Sequence, residues 1–213
     1  MTDEPDWAED AEGRLLIAAL PHVENLGWTS RLLAAAARDA GLSLSEAELL
    51  LPEGARDLAA LLGRGHDAAA LAALAELDPS VMKVRDRIRR GVLARIEAAM
   101  AEPDVTRRWM GFLALPGNAA LGLRLLWTSA DGLWRWAGDT ATDENHYSKR
   151  ALLAEILLST LALRLSAGAT AAEAHLDRRI AGVMAFERWK AGIGAGDLPG
   201  KVAGALGRLR YAR

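Results

Sequence analysis

Residues 138–150 read GDTATDENHYSKR, a polar turn set between two of the most apolar stretches of the chain. Ahead of it stands LGLRLLWTSADGLWRWA, with three of the seven tryptophans, and behind it ALLAEILLSTLALRL. Asp139, Thr142 and Asp143 suit the start of a helix, where a side-chain oxygen can satisfy free backbone N–H groups. The helix that follows is expected from about Glu144 to Ser166, with Leu152, Ile156 and Leu163 on one side and Leu153, Leu157 and Thr160 on the next. The helix before it, Ala119 to Ala137, is apolar almost all round, with Leu121, Leu125 and Trp136 on one side and Leu123, Trp127 and Trp134 on another. A helix without a polar face is enclosed, by protein or by something else apolar. Gly122, Ser129 and Gly132 leave space along it. Bulky aromatics beside small residues form a core in most helical domains, and can also line a cavity for a long apolar ligand.

Outward from this turn the same periodicity holds. Apolar residues recur at helical spacing with no sustained alternation, so the fold class is all-α, about ten helices. A first helix is expected from Ala8 to Asn25, with Leu15, Leu16, Ala19, Leu20 and Val23 inward and Gly27 as its stop. Thr29 is read as the cap of a second helix that ends at Gly41. Ser43 or Ser45 caps a third, which Pro52 ends. Residues 54–77 form an Ala/Leu helix with a break or kink near Gly63-Arg64-Gly65. Asp78-Pro79-Ser80 is a turn. Val81, Val84, Ile88, Val92, Ile96 and Met100 then make one stripe, with Lys83, Arg85, Arg87, Arg89, Arg90 and Arg95 read as a mainly solvated cationic face. Pro103 opens the next helix, which runs to Pro116-Gly117-Asn118. A last long helix, Thr170 to Trp189, turns Leu176, Ile180, Val183 and Met184 inward. Two long neighbouring helices with wide apolar stripes suit a four-helix homodimer interface.

Composition narrows function. Hydrophobic residues make up 51% of the 213 residues and charged ones 25%, which supports a packed core. The net charge of −2 gives no global field for nucleic acid. Cysteine is absent, which removes disulfides, thiolate catalysis and cysteine metal sites. The first residues, MTDEPDWAEDAE, are acidic, unlike a signal or transit peptide, so a cytoplasmic protein is expected. A di-iron bundle needs two Glu-x-x-His pairs. Only Asp143 and His146 have that spacing, so no metal site, no catalytic residue and no catalysis are expected. After the Gly-rich linker at 192–200, the tail KVAGALGRLRYAR places Val202, Leu206 and Leu209 opposite Lys201, Arg208 and Arg210. That pattern suits contact with an anionic membrane surface.

Residues 24–51, ENLGWTSRLLAAAARDAGLSLSEAELLL, resemble the helix-turn-helix of TetR-type repressors. Gly27, Thr29, Ala37 and the Ala40-Gly41-Leu42-Ser43 turn carry that resemblance. Small residues there let two helices cross closely around a tight turn. The third helix, however, offers Glu46 and Glu48 to the groove, and residues 31–58 hold three arginines against five acidic residues. An acidic reading head repels phosphate. The expectation is a helical subdomain that keeps the fold without binding DNA. A TetR-type regulator with an apolar effector is the alternative, and a dimeric adaptor without a ligand a third reading.

The turn residues Gly138, Asp139, Thr140, Thr142, Asp143, Asn145, Tyr147, Ser148, Lys149 and Arg150 resemble the signature of the lipid-binding accessory family of ubiquinone biosynthesis, the ninth Coq protein. Leu126, Trp127 and Asp131 before it, and LDRRI at 176–180 after it, agree. The resemblance implies a TetR-like homodimer with three parts. An N-terminal helix-turn-helix-like subdomain spans 1–52. A lipid-binding and dimerisation domain spans 53–191, and a linker with a C-terminal amphipathic helix spans 192–213. It implies a pocket for a lipid or isoprenoid quinone intermediate and no other cofactor. Position along the helices assigns that pocket to Trp109, Phe112, Leu125, Trp127, Trp134, Ile156 and Leu157. A surface patch at Asp143, Asn145, His146, Tyr147 and Arg150 would dock demethoxyubiquinone hydroxylase. Lys201, Val202, Leu206, Arg208 and Leu209 would touch the membrane, peripheral to the inner membrane. Glu144 and His146 stand where the family usually carries aromatics, which leaves Tyr147 alone of an apolar docking cluster.

Overall fold

Pro21 sets the first departure from periodicity. The expected first helix is divided into α1 (Trp7–Ala19), a 3-10 turn at Leu20–His22 and a single-turn α2 (Val23–Leu26). These and all later elements come from a computed structural model, which describes residues 7–139 and 144–192; Glu144, Asn145 and residues 186–192 enter by their backbone alone. The remaining helices are α3 (Ser30–Asp39), α4 (Leu44–Leu50), α5 (Ala55–Leu74), α6 (Val84–Ala99), α7 (Pro103–Leu113), α8 (Ala119–Trp136), α9 (Glu144–Ala167) and α10 (Ala169–Gly192). No strand occurs among the described residues, and the architecture is all-α and TetR-like.

Local chemistry accounts for most of the helix ends. Ser43 caps α4 through a reciprocal box: its hydroxyl accepts from the Glu46 N–H, and the Glu46 carboxylate accepts from the Ser43 N–H at 2.8 Å. Thr29 stands at the cap position of α3, but its hydroxyl donates back to the Leu26 carbonyl at 3.0 Å and caps nothing. Gly41 closes α3 at φ +72°, with Leu42 N–H reaching the Ala37 carbonyl at 2.9 Å. Gly138 closes α8 in the same way at φ +85°, and the Asp139 N–H reaches the Trp134 carbonyl at 3.0 Å. The polar turn therefore begins with a left-handed residue that only glycine adopts without strain.

The expected break near Gly63 and Gly65 is absent, and α5 runs through both. Packing explains it: a Cβ on Gly63 would lie 3.3 Å from Leu125 Cδ1 and from Trp109 Cζ2. The glycine is there so that α7 and α8 can approach α5, at a modest cost in helix propensity.

Two apolar clusters share the interior. The first joins α1, α3, α4 and the start of α5 to Trp28, Trp109, Leu121 and Leu125. The second joins Leu74 to α6, the end of α8, α9 and α10, around Val92, Ile96, Leu133, Leu153 and Leu176. The helix-turn-helix-like segment thus buries its apolar face in a core completed by α5, α7 and α8. Met110 touches both clusters. Of the expected α6 stripe, Ile88, Val92 and Ile96 are buried, while Val81, in the 3-10 turn at Pro79–Val81, and Val84, the first residue of α6, are exposed. Leu123, Leu152 and Met184 are exposed as well, so α8, α9 and α10 are not enclosed on every side.

Candidate functional site: an apolar cavity with one charged wall

Between the two clusters lies a cavity of about 320 Å³. Ile96 of α6, Trp109, Met110 and Leu113 of α7, Gly122, Leu125 and Leu126 of α8, and Leu157 and Leu161 of α9 form its apolar walls. Leu123 and Leu158 also line it and are 68% and 44% exposed, so it opens to solvent between α8 and α9. Gly122 makes room for the floor: its missing Cβ would sit 3.4 Å from Leu113 Cβ. The size is at the lower end of small-molecule sites, which run from about 300 to 1,000 Å³.

Trp109, Leu125 and Leu157 are the residues assigned from sequence that meet here. Trp109 is fixed in place, donating from Nε1 to the Ala59 carbonyl at 2.8 Å and standing edge-on to His66 at 5.6 Å. The other four lie elsewhere. Phe112 packs on Trp28 with ring centroids 6.1 Å apart. Trp127 packs on Tyr147 at 6.0 Å. Trp134 donates to the Lys149 carbonyl at 3.1 Å and carries the Lys149 ammonium over its ring. Ile156 is buried in the second cluster.

The cavity also has polar residues that the sequence reading passed over. Arg95, read as part of a solvated cationic face, is 6% exposed and forms one wall with Ser129. Its Nε donates to Asp67 Oδ1 at 2.5 Å, and the Ser129 hydroxyl donates to the same oxygen at 2.6 Å. The spacing of Val92, Arg95 and Ala99 holds the clue, since i, i+3 and i+7 share a helix face. His66 lies close by; burial, then the charge of Arg95, lowers its pKa to about 3, so it is neutral at physiological pH.

The polar turn is tied down by charge. Arg150 is 2% exposed and donates to Asp131 at 2.5 Å, to Asp139 at 3.2 Å and to the His146 carbonyl at 3.2 Å. It belongs to the scaffold that holds α8 to α9, and its assignment to a docking surface is corrected: the guanidinium is buried and faces Asp131 and Asp139, not a surface partner. Lys149 reaches Asp139 at 2.7 Å. Partial burial pushes the Asp139 carboxyl up, but Lys149 and Arg150 outweigh it and hold it below the usual carboxylate range. Asp139, expected as a cap, thus serves as an ion-pair acceptor. Tyr147 is 65% exposed, between Trp127 and His146, whose ring lies 5.2 Å away. Thr142, Asp143 and the tail residues Lys201, Val202, Leu206, Arg208 and Leu209 lie outside the described residues, and so does the side chain of Asn145.

Fold and site together define a TetR-like helical protein with an apolar, side-opening cavity and a charge-braced turn between α8 and α9. Residues 119–187, which hold α8, the turn and α9, match the COQ9 family model. The chain is 30% identical over 158 residues to the ubiquinone biosynthesis protein COQ9, mitochondrial, of Rattus norvegicus, covering 71% of this chain and 51% of that protein. The proteins of the same name from Bos taurus and Homo sapiens are 30% and 29% identical, each with half of its length covered. Over these matched residues the chain is similar to the COQ9 family. It spans about half the length of the curated relatives it matches.

Proposed function

We propose that this protein is a non-enzymatic accessory factor of ubiquinone biosynthesis that holds a lipid or an isoprenoid quinone intermediate and presents it to demethoxyubiquinone hydroxylase. The observation that carries the reading is the cavity itself: an apolar chamber whose α8 and α9 walls lie within the residues that match the COQ9 family model. The relatives' printed role in ubiquinone biosynthesis supports the pathway. The opening between Leu123 and Leu158 supports loading from a lipid surface, since exposed leucines at a cavity mouth lose little by meeting acyl chains. Among the described residues no helix is long and apolar enough to cross a membrane. Contact is therefore assigned to the periphery, with the tail from Lys201 to Arg213 as a second anchor. The exposed Leu152 and Met184 of α9 and α10 support a homodimer through that pair. The exposed Tyr147, seated on Trp127, supports hydroxylase docking beside the turn.

The regulator alternative needs a cationic reading head. The face of α4 turned to solvent is Leu44, Ser45, Glu46, Glu48 and Leu49, with no cation. Solvent extraction of the purified protein followed by mass spectrometry tests the proposal. Near-stoichiometric prenyl or acyl lipid is expected; a clean extract, with salt-sensitive binding to duplex DNA, contradicts it.

A further inference from the structure

Arg95 is an odd residue for the wall of an apolar chamber. Its Nε is taken by Asp67, but Nη1 and Nη2 donate to no described residue, and the side chain is only 7% exposed. Arg95 and Ser129 also line a second, smaller cavity of about 120 Å³ with Asp67, Thr128 and Gly132, so the guanidinium sits at the junction of two voids. A buried guanidinium normally spends its forked donors on protein oxygens, because leaving them unpaired in a dry interior is costly. Here the residue that carries the unspent donors lines the apolar cavity.

The charge balance decides what they are for. Arginine stays protonated, and Asp67 supplies its one counterion at hydrogen-bond distance. His66, the other nearby titratable group, is buried and neutral. Among the described residues no further ionisable residue lines the main cavity. The wall is therefore already neutral before a ligand enters. A second anion would be buried without a cation of its own, at the large cost of desolvating an unpaired charge. A neutral oxygen would gain a charge-assisted hydrogen bond and bring no charge to be balanced.

Resting on the ligand-holding role proposed above, we infer that Arg95, positioned by Asp67 and Ser129, selects apolar ligands that carry a neutral carbonyl-type oxygen over hydrocarbons and over carboxylates of the same length. Arg95 reads the oxygen, Asp67 supplies the neutralising charge, and Ser129 holds Asp67 in register by donating to the oxygen that Arg95 uses.

Competition against Nile red on the full-length protein tests this with three probes: methyl nonyl ketone, undecane and undecanoate. The ketone is expected to bind about tenfold more tightly than undecane, the worth of one hydrogen bond to a charged donor, and undecanoate no better than undecane. Arg95→Met leaves Asp67 unpaired, so Arg95→Met is also made together with Asp67→Asn, which keeps a partner for Ser129. In the double variant the ratio of ketone to undecane affinity is expected to fall from about ten to about one. Equal binding of ketone and undecane to the unmodified protein, or a preference for undecanoate, overturns the inference while leaving the ligand-holding role intact. Binding of none of the three overturns that role and the inference together. A ketone advantage that persists in a folded double variant, judged by its circular dichroism, overturns the assignment to Arg95.

Discussion

His66 and Arg150 show how much of this molecule's stability rests on polar groups within an apolar interior. The Nδ1 of His66 is buried with no hydrogen-bond partner, and its folded pKa of about 3 lies well below the value of about 6.5 for a free histidine. Between those values the unfolded chain binds a proton that the folded chain refuses. Stability that is full above pH 6.5 is therefore lost as the pH falls toward 3. From pH 7 to pH 5 the loss from this one group is about 2 kcal/mol. Urea denaturation at the two pH values should show it, and His66→Leu should remove most of the difference. Arg150→Met is expected to cost about 3 kcal/mol, the low end for a broken buried ion pair. Asp131 keeps Arg135 at 2.8 Å and Asp139 keeps Lys149, so neither carboxylate is left alone. The urea midpoint checks this; an unchanged midpoint would mean that the turn is held by something else.

At the scale of elements, the helices were readable and their ends only partly so. Periodicity located each helix from α3 onward because the apolar stripes there recur at helical spacing. It overran Pro21, where the apolar spacing continues through a 3-10 turn, and it read Gly63 as a breaker when the glycine answers a contact with Leu125 and Trp109 that no local pattern announces. The cavity was half legible. Trp109, Leu125 and Leu157 follow from helix position, but the weight given to aromatic size drew in Phe112, Trp127 and Trp134, which pack elsewhere. The periodic set Gly122, Leu125, Leu126 and Ser129 points to the cavity, and Trp127 lies off that face. Arg95 was hidden by the four other arginines on α6. The turn rests on Gly138, and Gly138→Ala forces a left-handed backbone on an L-residue. A loss of about 1–2 kcal/mol is expected in thermal or urea unfolding. No change would mean that the turn relaxes at no cost.

For the whole molecule, the arrangement reads as a container with a side door. Two cores meet imperfectly around Met110 and leave a chamber, and the charge-braced turn ties α8 to α9 through Arg150. Deleting residues 201–213 should weaken sedimentation with anionic vesicles while circular dichroism stays unchanged; equal sedimentation would remove the tail from the account. The chamber itself is tested most directly by filling it. Leu157, 3% exposed and on the cavity wall, accepts a larger side chain only by occupying the void. Lipid recovered per mole of purified protein, measured by mass spectrometry for the unmodified chain and for Leu157→Trp, should fall several-fold in the variant with the helical circular dichroism retained. Equal lipid in both would place the ligand somewhere other than this cavity and contradict the account.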